Sequence, residues 1–183
     1  YEAVLIVEYR DSDVLRRTVC LSSQSGCTLG CSFCATAQIG FNRSLTSAEI
    51  IGQLFYIVDY LGDTAPVTNV VFMGMGEPLL NIDAVTESVG IITGTPGFGI
   101  GSRRITISTG GIVPGIDELI SRNIRTRLAI SLNASNDILR NSLMPVNSKY
   151  NIDQILLAAE RYNLHSGRWV TLEYIMLGGI NDS

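Results

Sequence analysis

Residues 18–34 read TVCLSSQSGCTLGCSFC, a short β-branched run that breaks into a glycine- and serine-rich loop carrying cysteines 27, 31 and 34. The run at 18–22 predicts a strand, so the cysteines lie on the loop at its carboxyl end. Four further runs rich in Val, Ile and Leu recur at 69–73, 104–108, 126–132 and 169–176 without strict alternation, as expected of strands covered on both faces. Helical patterns separate them. The clearest opens at Thr46, where T-S-A-E sets Glu49 three residues after a hydroxyl cap. Apolar residues then follow at helical spacing, Ile50, Ile51, Leu54, Phe55, Ile57, Val58 and Leu61, until Gly62. Further helices are expected over 82–93, over 114–121 with proline in the first turn, and over 152–162. Strands alternating with helices predict an α/β fold with a parallel sheet and right-handed crossovers. A partial barrel of βα units, preceded by an extra strand in YEAVLIVE (1–8), is the preferred architecture. A doubly wound open parallel sheet is the alternative. In both, ligands bind at the carboxyl ends of the strands, where the cysteine loop is.

The chain's 183 residues, 46% hydrophobic and 16% charged, suit one domain spanning 1–183. It stops at GGINDS just after the fifth strand, so the domain is expected to be truncated there. There is no secretion-signal layout, and no apolar run approaches the ~20 residues that cross a bilayer, so a soluble cytoplasmic protein without a membrane partner is expected. The net charge of −4 gives no positive argument for a nucleic-acid partner. However, 12 of the 13 basic residues are arginine, the side chain that grips phosphate in a planar fork, with clusters at Arg16/Arg17, Arg103/Arg104 and Arg122/Arg125/Arg127. Each cluster alone reads first as solvated charge on a scaffold.

Four cysteines are too few for a disulfide framework, and three within eight residues is a metal-type pattern. A structural zinc site wants four ligands, commonly two CxxC pairs. Beyond the trio there are only Cys20, seven residues upstream, and the single histidine, His165. Three close thiolates suit a four-iron cluster, whose irons take one ligand each and which then keeps one iron open to a substrate or cofactor. A zinc site borrowing Cys20, or three metal-free core cysteines, are the alternatives. Polar groups cluster at the other strand ends too. GMGEP (74–78) offers close backbone approach and the carboxylate of Glu77. ISTGG (107–111) places Ser108 and Thr109, and ISLNAS (130–135) places Ser131 and Asn133, as ligand contacts or as plain caps and turn formers.

CxxxCxxC with Phe33 before the last cysteine resembles the signature of the radical S-adenosylmethionine (SAM) superfamily. That resemblance implies a [4Fe-4S] cluster on Cys27, Cys31 and Cys34, with SAM chelating the open iron and cleaved by one electron to a 5′-deoxyadenosyl radical. It also implies adenine against Phe33 and the methionine ammonium against the GMGEP turn. Longer stretches, VCLSSQSGCTLGCSFCATAQIGFNRSLTSAEIIGQ (19–53), NVVFMGMGEPLLN (69–81), RRITISTGGIVPGI (103–116), LAISLNAS (128–135) and LMPVNSKYNI (143–152), resemble the RlmN/Cfr family of RNA adenine methyltransferases. This implies methylation of carbon 2 of an adenosine in 23S ribosomal RNA, and of transfer RNA as well, through a methyl-cysteine intermediate. Methylation at carbon 8 is the alternative. By the same resemblance Gly76, Glu77, Ser108, Ser131, Leu132 and Asn133 match SAM contacts, and Cys20 matches a cysteine that resolves the covalent link to the methylated base. Glu2 matches a glutamate that accepts a proton and touches the base. A small core residue for Cys20 and an exposed terminal carboxylate for Glu2 are the plain readings. Implied partners are 23S ribosomal RNA, transfer RNA and a reductant such as flavodoxin or ferredoxin, with the protein a monomer.

The departures are specific. The family carries its methyl group on a cysteine near the carboxyl terminus, yet no cysteine follows Cys34. Its sixth strand, last SAM contact and amino-terminal RNA-binding extension have no counterpart. Asn133 stands where histidine is frequent and STGG where STSG is usual, both keeping hydrogen-bonding capacity. The expectation is a catalytic core that loads cluster and SAM but does not methylate RNA by itself. A non-catalytic module that folds around a metal is the remaining reading.

Overall fold

The computed structural model describes residues 1–11, 13–63 and 65–182. The chain enters on β1 (Val4–Arg10), returns on β2 (Asp13–Cys20) and runs into the cysteine loop, where β3 (Gln24–Gly26), α1 (Ala35–Ile39) and β4 (Phe41–Ser44) form a small hairpin unit. After α2 (Ser47–Leu61) come β5 (Asn69–Phe72), α3 (Ile82–Thr93), β6 (Ile105–Thr109), α4 (Val113–Ser121) and β7 (Arg127–Ser131). The described chain closes with α5 (Asp137–Leu143), α6 (Ile152–Ser166) and β8 (Thr171–Glu173).

Six strands make one sheet in the order β1-β2-β5-β6-β7-β8, antiparallel between β1 and β2 and parallel elsewhere. This order separates the two expected architectures. A doubly wound sheet reverses its strand order so that helices cover both faces. Here every new parallel strand is added on the same side of the last, and right-handed crossovers then lay all the helices on one face. The other face becomes the inner wall of an open barrel. The partial barrel with an extra antiparallel strand is the fold, and the doubly wound alternative is excluded.

Burial follows the pleat. On β6, Ile105, Ile107 and Thr109 are buried while Thr106 and Ser108 are half-buried. Phe72, Ile107 and Leu128 stand in register across three strands and form the floor of the core. Ile50, Leu54, Val85, Ile92, Ile116, Leu119, Ile155 and Tyr162 close it from the helices, which pack α2 on α3, α3 on α4 and α4 on α6. The capping box read at Thr46 forms, with the Thr46 hydroxyl accepting from Glu49 N at 3.2 Å and Glu49 Oε2 accepting from Thr46 N at 2.9 Å.

Arg43 grips the same carboxylate through two guanidinium bonds of 2.8 and 2.6 Å. Those bonds, with the Thr46 amide, pull the Glu49 carboxyl down to about 2. A depressed carboxyl contributes stability that is complete above its ordinary range and is lost as pH falls through the lowered value. Acidification towards about pH 2 therefore loosens the start of α2, and Glu49→Gln removes that part of the acid response. Urea unfolding followed by circular dichroism at neutral and acid pH measures both effects.

Several expected boundaries move: the leading strand is Val4–Arg10, the run at 18–22 is the tail of a strand that starts at Asp13 and ends at Cys20, and the helix at 152–162 continues to Ser166. The run at 169–176 forms a strand only over Thr171–Glu173. Beyond it the backbone is captured by side chains: Asn133 Oδ1 accepts from Ile175 N at 2.9 Å, and Asn181 binds Leu177 N and the carbonyls of Asn133 and Ile175.

Candidate functional site

The carboxyl ends of the parallel strands surround a hollow of about 300 Å³. One wall is the loop after β2, with Cys27, Cys31, Phe33 and Cys34; the turn after β5 contributes Gly76 and Glu77. Ser108 and Thr109 from β6, Ser131 and Asn133 from β7, and Glu173 from β8 complete the ring.

Glycine shapes the two loops. Gly26 has φ +80°, and a Cβ there would lie 1.7 Å from the Gly40 carbonyl oxygen, the group that accepts from Cys27 N at 3.2 Å. Gly76 has φ +98°, and a Cβ there would lie 2.4 Å from the Cβ of Gln24. This contact laces the GMGEP turn to the cysteine loop, together with Ser23 N to the Met75 carbonyl at 2.9 Å and Glu77 N to Gln24 Oε1 at 3.0 Å. Gly76→Ala meets both a left-handed backbone and a clash, so it lowers stability by at least about 2 kcal/mol. It also parts the turn from the loop. Chemical denaturation, with iron uptake measured alongside, tests the coupling.

The four cysteines are free thiols. Burial pushes Cys31 up to about 11, with Cys27, Cys34 and Glu77 adding to it and Arg140 opposing. Burial likewise raises Cys27, helped by Glu77 and Cys34 and opposed mainly by the Leu29 amide. Thiols that hold one another protonated in this way lose their protons when a cationic centre arrives. Among the described residues no three His, Cys, Asp or Glu side chains converge tightly enough to hold a single metal ion. Three thiols lining one hollow suit a four-iron cluster, whose irons take one sulfur each.

Glu77 is 2% exposed. Its Oε1 accepts from Leu79 N at 3.0 Å and its Oε2 from Gly110 N at 2.7 Å, while burial raises its carboxyl above the ordinary value. The side chain thus ties two strand ends together. Asn133 has φ +57°, a left-handed conformation that asparagine tolerates, and its amide oxygen holds the segment after β8. Leu132 lies behind the rim, its carbonyl accepting from Arg140 Nε at 2.9 Å.

Cys20 and Glu2 come together but line no part of this hollow. β1 pairs Val4 with Cys20, and the Ser22 hydroxyl donates to the Glu2 carbonyl at 2.6 Å. Burial raises the Cys20 thiol, the Met73 backbone opposes, and the Glu2 charge raises it further. Glu2 faces a neighbouring recess with Gln53 and Tyr56.

Two residues at the site went unread in the sequence. Glu173 Oε2 accepts from the Ser108 hydroxyl at 2.7 Å and the Ser131 hydroxyl at 3.1 Å, so both serines share one carboxylate. Its only signal was a lone acid in an apolar strand. Arg140, fully buried, donates to the carbonyls of Leu132, Gly110 and Ser131 and to Asn147 Oδ1. It sits on α5, which no periodicity announced.

The family profile described as the radical SAM superfamily matches residues 21–183. The chain belongs to the radical SAM superfamily. Membership implies SAM and a [4Fe-4S] cluster as cofactors. The chain is 51% identical over 173 residues to the dual-specificity RNA methyltransferase RlmN of Buchnera aphidicola subsp. Schizaphis graminum, covering 91% of this chain and 47% of that protein. It is 49% identical over 179 residues to the protein of the same name from Wigglesworthia glossinidia brevipalpis, covering 93% and 46%. It therefore spans about half the length of these relatives. Among solved structures, a radical SAM methyltransferase from Sphaerobacter thermophilus superposes with a TM-score of 0.92 at 44% identity, over 99% of this chain and 52% of that one.

Proposed function

We propose that this radical SAM chain is the cluster- and SAM-binding core of an RNA methyltransferase that modifies carbon 2 of an adenine in 23S ribosomal RNA and in transfer RNA. The observation that carries the reading is the gathering of Cys27, Cys31, Cys34, the GMGEP turn and the polar ends of β6 and β7 around one hollow. The likeness to two proteins named dual-specificity RNA methyltransferase RlmN supplies the substrate class.

In this reading the three thiolates hold a [4Fe-4S] cluster, which when bound supplies an open iron for SAM and the electron that cleaves it. The backbone of Gly76 and Glu77 meets the methionine end of SAM, since the Glu77 carboxylate is taken up by two amides. Ser108, Ser131 and Asn133 orient the rest, the serines through Glu173, while the Leu132 carbonyl is held behind them by Arg140. Phe33 offers its ring to the adenine. Cys20 is assigned as the thiol that resolves the methylated base from the enzyme, and Glu2 as the proton acceptor, on the likeness to the relatives. Flavodoxin or ferredoxin supplies the electron, and the protein works in the cytoplasm as a monomer. Among the described residues no helix is long and apolar enough to cross a membrane.

The methyl-carrying cysteine that this route needs is not in the sequence, because Cys34 is its last cysteine. The chain by itself therefore cleaves SAM without methylating RNA. Anaerobic incubation with SAM, dithionite and 23S ribosomal RNA, followed by mass spectrometry of the digest, is expected to show 5′-deoxyadenosine and no methyladenosine. Fusing to this chain the part of a relative that lies outside the match restores the carbon-2 product. Failure to cleave SAM overturns the reading, and a carbon-8 product reassigns its specificity.

A further inference from the structure

At the end of the sheet opposite the cysteines, three successive parallel strands begin among arginines. Arg103 precedes β6, Arg125 and Arg127 lie at the start of β7, and Arg168 precedes β8. They border a second cavity of about 670 Å³ with Trp169 and Thr171 on its wall. Among the described residues none of these four guanidiniums has a carboxylate within ion-pair distance, whereas Arg16, Arg43, Arg122 and Arg161 each do. Arg168 is turned inward, donating to the Arg125 carbonyl and to the Ser102 hydroxyl. Burial pushes its guanidinium below the ordinary value, and the charges of Arg103, Arg127 and Arg125 press the same way, with Tyr162 opposing.

Concentrating unpaired positive charge in a chain of net charge −4 is a local exception that an anion relieves. Guanidinium forks take phosphate oxygens in pairs. Trp169, the single tryptophan, is 87% exposed beside them and offers a stacking surface for a base. We propose that this arginine basin is a second RNA-contact site, where Arg103, Arg127 and Arg168 grip backbone phosphates and Trp169 stacks on a base. The assignment rests on the RNA reading of the chain. The basin lies about one strand length from the hollow, roughly 17 Å for a five-residue strand. A folded RNA that presents an adenine at one end of the barrel spans that distance.

Trp169 reports on its own site. Titrating the anaerobically loaded protein with a short single-stranded RNA is expected to quench tryptophan fluorescence saturably, and less so as salt rises. Arg103→Ala and Arg127→Ala, both at exposed positions, each weaken RNA binding about tenfold and leave the response of the cluster spectrum to SAM unchanged. Inorganic pyrophosphate is the comparison probe. Pyrophosphate quenching as well as RNA, in an arginine-dependent way, makes the basin a free-polyphosphate site and overturns the RNA assignment. Absent quenching, or quenching indifferent to both substitutions, overturns the site itself. Quenching that persists in protein unable to cleave SAM leaves the basin standing and removes the methyltransferase reading instead.

Discussion

Replacing Arg140 with methionine lowers the unfolding free energy by about 3–5 kcal/mol, a loss far larger than an ordinary surface change produces. The guanidinium is completely buried and satisfies the carbonyls of Gly110, Ser131 and Leu132 together with Asn147. Methionine fills much of the volume but donates nothing. Each buried acceptor left without a partner costs about 1–3 kcal/mol, and four acceptors lose this guanidinium together, those of Gly110 and Asn147 in fully buried bonds. The Ser131 and Leu132 carbonyls lie at the end of β7 beside Asn133, and the Gly110 carbonyl just after β6, so the variant also weakens SAM binding. Arg140→Lys keeps the charge but has no fork to span two strand ends, and recovers only part of the loss. Urea unfolding gives the stability, and equilibrium dialysis of labelled SAM gives the site. A loss under about 1 kcal/mol for the methionine variant contradicts the role assigned to this side chain.

The second large effect concerns the cysteines. If the proposed cluster is right, changing any one of Cys27, Cys31 or Cys34 to alanine drops reconstituted iron from about four atoms per chain to below one, because each thiolate would then be the sole protein ligand of its iron. Cys20→Ala leaves iron and colour intact. That pair of outcomes distinguishes the cluster from a zinc site borrowing Cys20, in which all four substitutions release metal alike. Iron and sulfide analysis after anaerobic purification reads both.

Chemistry that is local along the chain was legible in the sequence. The cysteine loop, the GMGEP turn and the capping box at Thr46 each lie within a few residues, and each forms as its pattern implies. Strands β5, β6 and β7 fall within a residue or so of their apolar runs, since burial on both faces leaves an unbroken mark. What was hidden is set by partners far away. Glu173 acquires its place from a serine 65 residues earlier. Arg140 gains its weight only once strand ends 30 and 9 residues distant close over it. The early end of β8 is likewise imposed by Asn133 and Asn181, not by the strand's own residues. Choosing the open barrel over the doubly wound sheet needed the strand order, which no residue pattern states.

The roles at the rim now divide physically. Glu77 takes two backbone amides and Arg140 binds three backbone carbonyls, so both fix the shape of the hollow, while Asn133 ties Ile175 N and the Met144 sulfur to its edge. Ser108, Ser131 and Glu173 share bonds that an incoming ribose can exchange, because each keeps further donor or acceptor capacity.

In the proposed site three cysteines would leave one iron of the cluster free for SAM. Electron paramagnetic resonance of the anaerobically reconstituted, dithionite-reduced protein, recorded before and after SAM is added, tests it most directly. A four-iron signal whose shape and g values shift on addition is the predicted result. A signal that SAM does not alter, or a colourless protein that takes up zinc in place of iron, contradicts it.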